Sequence, residues 1–253
     1  MTAHFRTRLL AREPLIGTLI SLPIPEFAEI AAGAGVDWLF LDMEHGRLDA
    51  ASLSGMIQAA GEACPCVVRV PANDDIWIKK AFDAGAAGII VPHVDTPEQA
   101  ARAVHWSKFP PEGGRGVGFT RSNRYGAQFQ EHVETANSAT AVIAQVEHID
   151  GVRNISEILA VPGVDAVFIG PYDLSASLGK PGSIQDKDVL EAMGSVREAC
   201  SRKKTAVGIF SVDIPAAKKA LADGFSLVCS GIDVSLFSKS VVEIIRVLKQ
   251  PAG

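Results

Sequence analysis

Eight short, uninterrupted apolar runs recur along this 253-residue chain, at 17–21, 38–44, 66–71, 88–94, 141–147, 166–171, 206–211 and 225–231. Runs that are apolar throughout, rather than at alternate positions, suit strands covered on both faces, the condition of an inner parallel sheet. Helical spacing fills most of the gaps. In 186–204, Val189, Leu190, Met193, Val196 and Cys200 fall on one side, with charges elsewhere. Thr96-Pro97-Glu98 reads as a helix start, with an N-cap, a proline at the first helical position and an acid in the first turn; Asp213-Ile214-Pro215 repeats the signal. Gly35, Gly85, Gly163 and Gly224 stand just before four of the runs, as helix C-caps do. Strand–helix units joined by right-handed crossovers predict one α/β domain over 1–253, a (β/α)8 TIM barrel. A doubly wound open sheet is the alternative. No G-x-G-x-x-G follows the first run, which removes the usual dinucleotide-binding form of that fold.

Composition excludes several partners. With 47% hydrophobic and 21% charged residues and a net charge of -5, the chain can bury a large core but offers no broad basic surface for nucleic acid or an anionic membrane. No run is long enough to span a bilayer. The four cysteines, Cys64, Cys66, Cys200 and Cys229, have neither CxxC spacing nor the density of a disulfide scaffold. The first twenty residues carry three arginines before a segment broken by Pro14 and Gly17, which is not a secretory signal pattern, so a cytoplasmic location is expected.

Polar residues follow the runs at recurring places: Asp42-Met43-Glu44-His45, Arg69, Gln145-Val146-Glu147 and Gly170-Pro171-Tyr172-Asp173. In a parallel barrel the strand ends point the same way, so these groups are expected to converge on one mouth. Glu147 and Asp173, from adjacent strand ends, suit a hard divalent cation such as Mg²⁺ or Mn²⁺. Arg69 can hold an anion or form a structural pair with Asp42 or Glu44, and both readings stay open. His45 can move a proton near neutral pH, with Asp42 and Glu44 in the same stretch. His93, ending the fourth run, is a second candidate; His4, His105 and His132 read as surface residues. There is no G-x-S-x-G elbow and no lysine in any run, which disfavours acyl-enzyme and imine chemistry. The stretch 110–140 reads as a long irregular connection carrying Arg115, Arg121 and Arg124. Its arginines are aimed at a carboxylate on a substrate or a neighbouring subunit, or simply solvated.

Taken in order, LDMEHG, VVRVP, AFDAGAAGIIVP, PPEGGRGVG, QVE and VFIGPYDLS resemble the HpcH/HpaI family of class II pyruvate aldolases, from about Gly17 to beyond Asp233. The resemblance implies reversible cleavage of a 4-hydroxy-2-oxo acid, such as 4-hydroxy-2-oxoheptanedioate or a 2-keto-3-deoxy sugar acid, into pyruvate and an aldehyde through a metal-stabilised enolate. It implies Glu147 and Asp173 as ligands of Mg²⁺, Mn²⁺ or Co²⁺. Gln145 and the backbone from Gly170 to Tyr172 would bind the pyruvate carboxylate, Arg69 would face the enolate oxygen, and His45 would be the base. The acid that raises the basicity of His45 would be Asp83, supplied by a neighbouring subunit of a homohexamer built as a trimer of dimers; Asp42 is the local alternative. The C-terminal amphipathic helix, with Leu236, Phe237, Ile244, Ile245 and Leu248 on its apolar side, either closes its own barrel or, as the resemblance suggests, is exchanged with a partner subunit. Two other readings are an acyl-CoA ester lyase or decarboxylase on this scaffold and a keto-acid-binding barrel without turnover.

Overall fold

The computed structural model describes residues 5–249. Its eight parallel strands are β1 (Leu15–Ile20), β2 (Trp38–Asp42), β3 (Cys66–Arg69), β4 (Gly88–Val91), β5 (Ala141–Val146), β6 (Ala166–Ile169), β7 (Ala206–Ser211) and β8 (Leu227–Ile232). They close in sequence order, with β8 pairing back to β1. The fold is therefore the expected TIM barrel. Each apolar run forms a strand, but β2, β4 and β5 stop before the polar residues: Glu44, His93 and Glu147 lie beyond the last paired residue.

Alternation along each strand splits the core in two. Leu39, Leu41, Val68, Ile89, Val91, Val142 and Val167 point outward beneath the helices. Trp38, Phe40, Val67, Ile90, Ile143, Phe168, Leu227 and Cys229 point inward, and Phe5 and Leu9 of the Phe5–Leu10 helix join them. Side chains this large fit one barrel because glycines face them. A Cβ on Gly17 would lie 2.6 Å from the Trp38 carbonyl oxygen, and one on Gly208 would lie 2.5 Å from the Phe168 ring. Aromatic centroids step along the interior from Phe5 to Trp38 (6.2 Å), Phe40 (5.9 Å) and Phe168 (5.6 Å). Burying each such ring contributes about 2 kcal/mol. The Arg69 guanidinium sits 5.2 Å over Phe40, so this filled interior forms the floor of the barrel's C-terminal mouth.

The helix punctuation holds except at Gly163. Thr96 and Gln99 make a reciprocal capping box, Asp213 caps Ile214–Ala222, and the 186–204 pattern becomes the Lys187–Lys203 helix. Gly35, Gly85 and Gly224 stand at or directly after helix C-caps with positive φ, from 86° to 99°; Gly163 does not, because the helix before it ends at Ile158 and the glycine (φ 95°) lies in a later turn. At Gly85 (φ 99°) the left-handed backbone favours glycine, and the nearest atom to an added Cβ is the movable end of the Arg121 side chain.

Three further expectations are corrected. The stretch 110–140 is irregular only to 120; it continues as a 3₁₀ segment, Arg121–Gly126, and a helix, Phe129–Ala139. Because it links a helix to β5, it lies at the N-terminal end of the barrel. There Arg115 is buried between Phe82 and Phe109 (4.8 and 4.4 Å) and 3.6 Å from Asp83, Arg121 donates to the Ala84 carbonyl, and Arg124 donates to Glu62. Nor is His132 a surface residue: it is half-buried, edge-on to Phe109. His105 is exposed as expected, while His4 lies outside the described residues. Finally, the Asp233–Leu248 helix does not close its own barrel. Its predicted apolar residues, Leu236, Phe237, Ile244, Ile245 and Leu248, are 46–75% exposed. Its first residue is nonetheless anchored, since Asp233 accepts hydrogen bonds from the Ser21 amide and hydroxyl and from the Leu22 amide. Among the described residues no helix is long and apolar enough to cross a membrane.

Candidate active site

The inward parity of the core continues into the site. Phe40 leads two residues on to Asp42, Val67 to Arg69, Ile143 to Gln145 and Phe168 to Gly170, so these four face the lumen above the aromatic floor. Asp42 and Arg69 are register partners in β2 and β3. Their side chains form a bidentate pair, Nε to Oδ1 at 2.9 Å and Nη2 to Oδ2 at 2.7 Å. Arg69 Nη1 also lies 3.1 Å from Glu44 Oε2, near enough for an ion pair but off the line of a hydrogen bond, so that oxygen has no donor. Burial would lower the pKa of Arg69; its Asp42 hydrogen bonds and the charges of Asp42, Glu44 and Glu147 outweigh burial and hold it above its ordinary value.

After β2 the chain turns sharply. A side chain at Gly46 would collide with the Asp42 carbonyl oxygen, so the DMEHG turn can fold back only with glycine there. Asp42 Oδ1 accepts from the backbone amides of Glu44 and His45 (3.0 and 3.3 Å). Asp42 is thus spent on Arg69 and on the turn, and does not orient the His45 ring. The carboxylate nearest that ring is Glu44, 4.0 Å from Nε2, and the His45 side chain is 67% exposed. Glu44 itself has a raised pKa, through burial first and then the nearby charge of Glu147, opposed by Arg69 and the two histidines.

Glu147 is 2% exposed and fixed from both sides. Its Oε1 accepts from the His93 backbone amide (2.8 Å) and lies 3.2 Å from His93 Nδ1, while Oε2 accepts from the Gln145 amide. Gly170 lies directly against it: a Cβ there would fall 2.8 Å from Glu147 Cβ and Oε2. With its amide nitrogen on Glu147, buried Gln145 keeps an Oε1 that has no partner. His93 Nε2 reaches 3.7 Å from Glu44 Oε1, so one ligand atom each from Glu44, His93 and Glu147 lies within 4.8 Å of the others. Among the described residues this is the cluster that could hold a metal ion.

The sequence expectations fare unevenly here. Asp42, Arg69, Gln145, Glu147 and Gly170 meet at one mouth as expected. Asp173 and Tyr172, in the first turn of the Pro171–Ser177 helix, are exposed, and Asp173 is not in the metal-competent cluster. Asp83 sits in the last turn of the Asp75–Ala84 helix, at the opposite end of the barrel, facing Arg115. Glu44 and His93 enter the cluster in ways the run-end pattern undervalued; the step of two from Asp42 to Glu44 is the signal that finds the first. A cavity of about 610 Å³ lined by Arg12, Arg197, Thr205 and Ser226 lies at the N-terminal ends of β7 and β8 and contains none of these groups. The acid, arginine and histidine cluster, unlike that hollow, lies at the C-terminal strand ends, where barrel enzymes carry their active sites.

Residues 16–240 match the profile of the HpcH/HpaI aldolase/citrate lyase family. The chain belongs to that family. Among its relatives, the hydroxypyruvate/pyruvate aldolase of Paraburkholderia phytofirmans is 37% identical over 92% of each chain. The 4-hydroxy-2-oxovalerate aldolase of Novosphingobium aromaticivorans is 36% identical over 91% of this chain and 88% of its own. A crystal structure of an HpcH/HpaI aldolase/citrate lyase family protein from Burkholderia cenocepacia superposes with a TM-score of 0.93, at 39% identity, over 97% of this chain and 98% of the other. Like these HpcH/HpaI aldolases, the protein is a carbon–carbon lyase.

Proposed function

We propose that this enzyme is a divalent-metal-dependent aldolase of the cytoplasm that reversibly cleaves a 4-hydroxy-2-oxo acid to pyruvate and an aldehyde. The observation that carries the reading is the excess of buried acid at the mouth. Asp42, Glu44 and Glu147 set three carboxylates against one guanidinium, Arg69, and both Glu44 Oε2 and Gln145 Oε1 lack donors. A dication suits that donor set. By the family resemblance Glu147 and Asp173 would hold it; Asp173 has no hydrogen bond or ion pair among the described residues and is free to do so. When bound, the cation supplies the Lewis acidity that makes protons beside a keto group transferable.

The chain's own residues divide the remaining work. Arg69, locked by Asp42, presents its unused Nη protons to charge developing on the keto oxygen. His45 takes the proton of the 4-hydroxyl in cleavage and returns it in condensation; its exposed ring can reach a substrate in the mouth. Gln145 fixes Glu147 and, with the backbone from Gly170 to Tyr172, receives the substrate carboxylate. Asp83 can act beside His45 only from a neighbouring subunit, because it lies at the far end of its own barrel. A homohexamer, built as a trimer of dimers with exchanged C-terminal helices, would supply it. The relatives' names support the pyruvate half; the aldehyde half, as in 4-hydroxy-2-oxoheptanedioate or a 2-keto-3-deoxy sugar acid, belongs to the proposal. An acyl-CoA substrate finds no support, since Arg115, Arg121 and Arg124 are engaged away from the mouth.

The test is exchange of the pyruvate methyl protons in deuterated buffer, followed by proton NMR. Exchange that depends on added metal and disappears in Arg69→Ala is expected, with His45→Ala losing cleavage while retaining pyruvate binding. Absence of exchange with Mg²⁺, Mn²⁺ and Co²⁺ alike would overturn the reading.

A further inference from the structure

We propose that His93 is a protein donor to the cation of this site, and that it biases the site toward cations that favour imidazole nitrogen, such as Co²⁺, over Mg²⁺. This rests on the metal-dependent reading above and adds a residue to which no role in the chemistry has been given. His93 follows Pro92 just after β4, in a left-handed backbone (φ 52°) that a non-glycine residue adopts only when its surroundings hold it there. Two contacts do so. The backbone amide donates to Glu147 Oε1, and the ring stands between the two acids, Nδ1 at 3.2 Å from Glu147 and Nε2 at 3.7 Å from Glu44.

The ring is therefore placed at the point where the uncompensated charge is greatest. With Asp42 paired to Arg69, Glu44 shares the same guanidinium and Glu147 has only neutral donors. A dication held at Glu147, with Glu44 beside it, would offset this excess, and within that cluster His93 is the side chain that offers a nitrogen. An all-oxygen site suits Mg²⁺; adding one imidazole shifts preference along the series toward Co²⁺, Ni²⁺ and Zn²⁺. Gln145, buried and aimed at Glu147 with its own Oε1 unpartnered, is a second sign that this polar pocket is built around something further.

The test uses the full-length protein stripped of metal and titrated separately with Co²⁺ and Mg²⁺, with binding read by calorimetry and the Co²⁺ ligand-field bands by absorption. His93→Asn is the main variant, because asparagine tolerates the left-handed backbone, and His93→Gly is the second, in case the first misfolds. Expected is a loss of Co²⁺ affinity of roughly 10- to 100-fold with altered bands, while Mg²⁺ affinity changes less than about threefold. Unchanged Co²⁺ affinity and bands, or equal weakening of both metals with the bands intact, would overturn the donor role and leave the aldolase reading standing. Wild-type protein that binds neither cation would overturn both.

Discussion

At the scale of single residues, the site is built by close approach more than by unusual chemistry. Gly170 has φ -94°, which any residue tolerates, so an alanine there tests contact alone. Its Cβ would press on Glu147 at 2.8 Å, and Glu147 is held on its other side by His93 and Gln145. Gly170→Ala should therefore displace the carboxylate, lower pyruvate proton exchange at least tenfold and cost about 1–3 kcal/mol in urea unfolding. Wild-type exchange in that variant would mean that Glu147 has slack that this packing denies. The glycine is visible in the sequence as part of a Gly-Pro turn, but the reason for it is not: Glu147 stands 23 positions earlier and becomes its neighbour only through β5–β6 pairing. The same holds for Asp42, whose sequence neighbour His45 suggests one partner while the β2–β3 register supplies another, Arg69.

At the scale of elements, the Asp233–Leu248 helix is the part whose chemistry and environment disagree. Asp233 fixes its start to the end of β1, yet Phe237, Val242, Ile244 and Leu248 stand 56–75% exposed beyond it. Apolar surface on this scale along one helix is suited to an interface. The proposed exchange with a partner subunit would bury it and would leave the barrel's own packing unchanged. Phe237→Asp combined with Ile244→Asp should convert the assembly to a 26.7 kDa monomer in sedimentation velocity while preserving the far-ultraviolet circular dichroism. A wild-type protein that already sediments as a stable monomer would sink both the exchange and any role for Asp83 beside His45. The amphipathic pattern was readable in the sequence; the direction of the helix was not, because an apolar stripe specifies that it needs a cover and not which chain provides it.

At the scale of the whole molecule, the barrel should open only as a unit, because its interior and its helix layer are each continuous. The cysteines report on this. Burial first, then the charge of Asp37, raises Cys64 to about 11, and burial raises Cys200 to about 12; burial drives Cys66 and Cys229 higher still. At pH 8 a thiol with pKa near 11 is ~0.1% thiolate, so access and ionisation both protect it. An aromatic disulfide reagent at pH 8 should find no fast-reacting thiol in the native protein and four after unfolding in guanidinium. A native thiol reacting within seconds would reveal local opening that this packing does not allow.

The sequence by itself determined the strand–helix units. Continuous apolar runs, helix starts at Thr96 and Asp213 and left-handed glycines after helices at Gly35, Gly85 and Gly224 are local signals, and eight such runs call for a parallel sheet covered on both faces; the closure of β8 onto β1, in place of an open doubly wound sheet, was decided by the tertiary structure. The sequence also determined which polar residues face the mouth, since the period of two that puts Phe40 inside puts Asp42 there as well. Only the tertiary structure decided which of them touch. The pairing of Asp42 with Arg69, the placing of His93 between Glu44 and Glu147, and the retreat of Arg115 and Asp83 to the far end depend on strand register, a left-handed turn after Pro92 and the direction in which a long connection leaves its helix. Those are contacts between residues tens of positions apart, and sequence spacing carries no information on them until the barrel has closed.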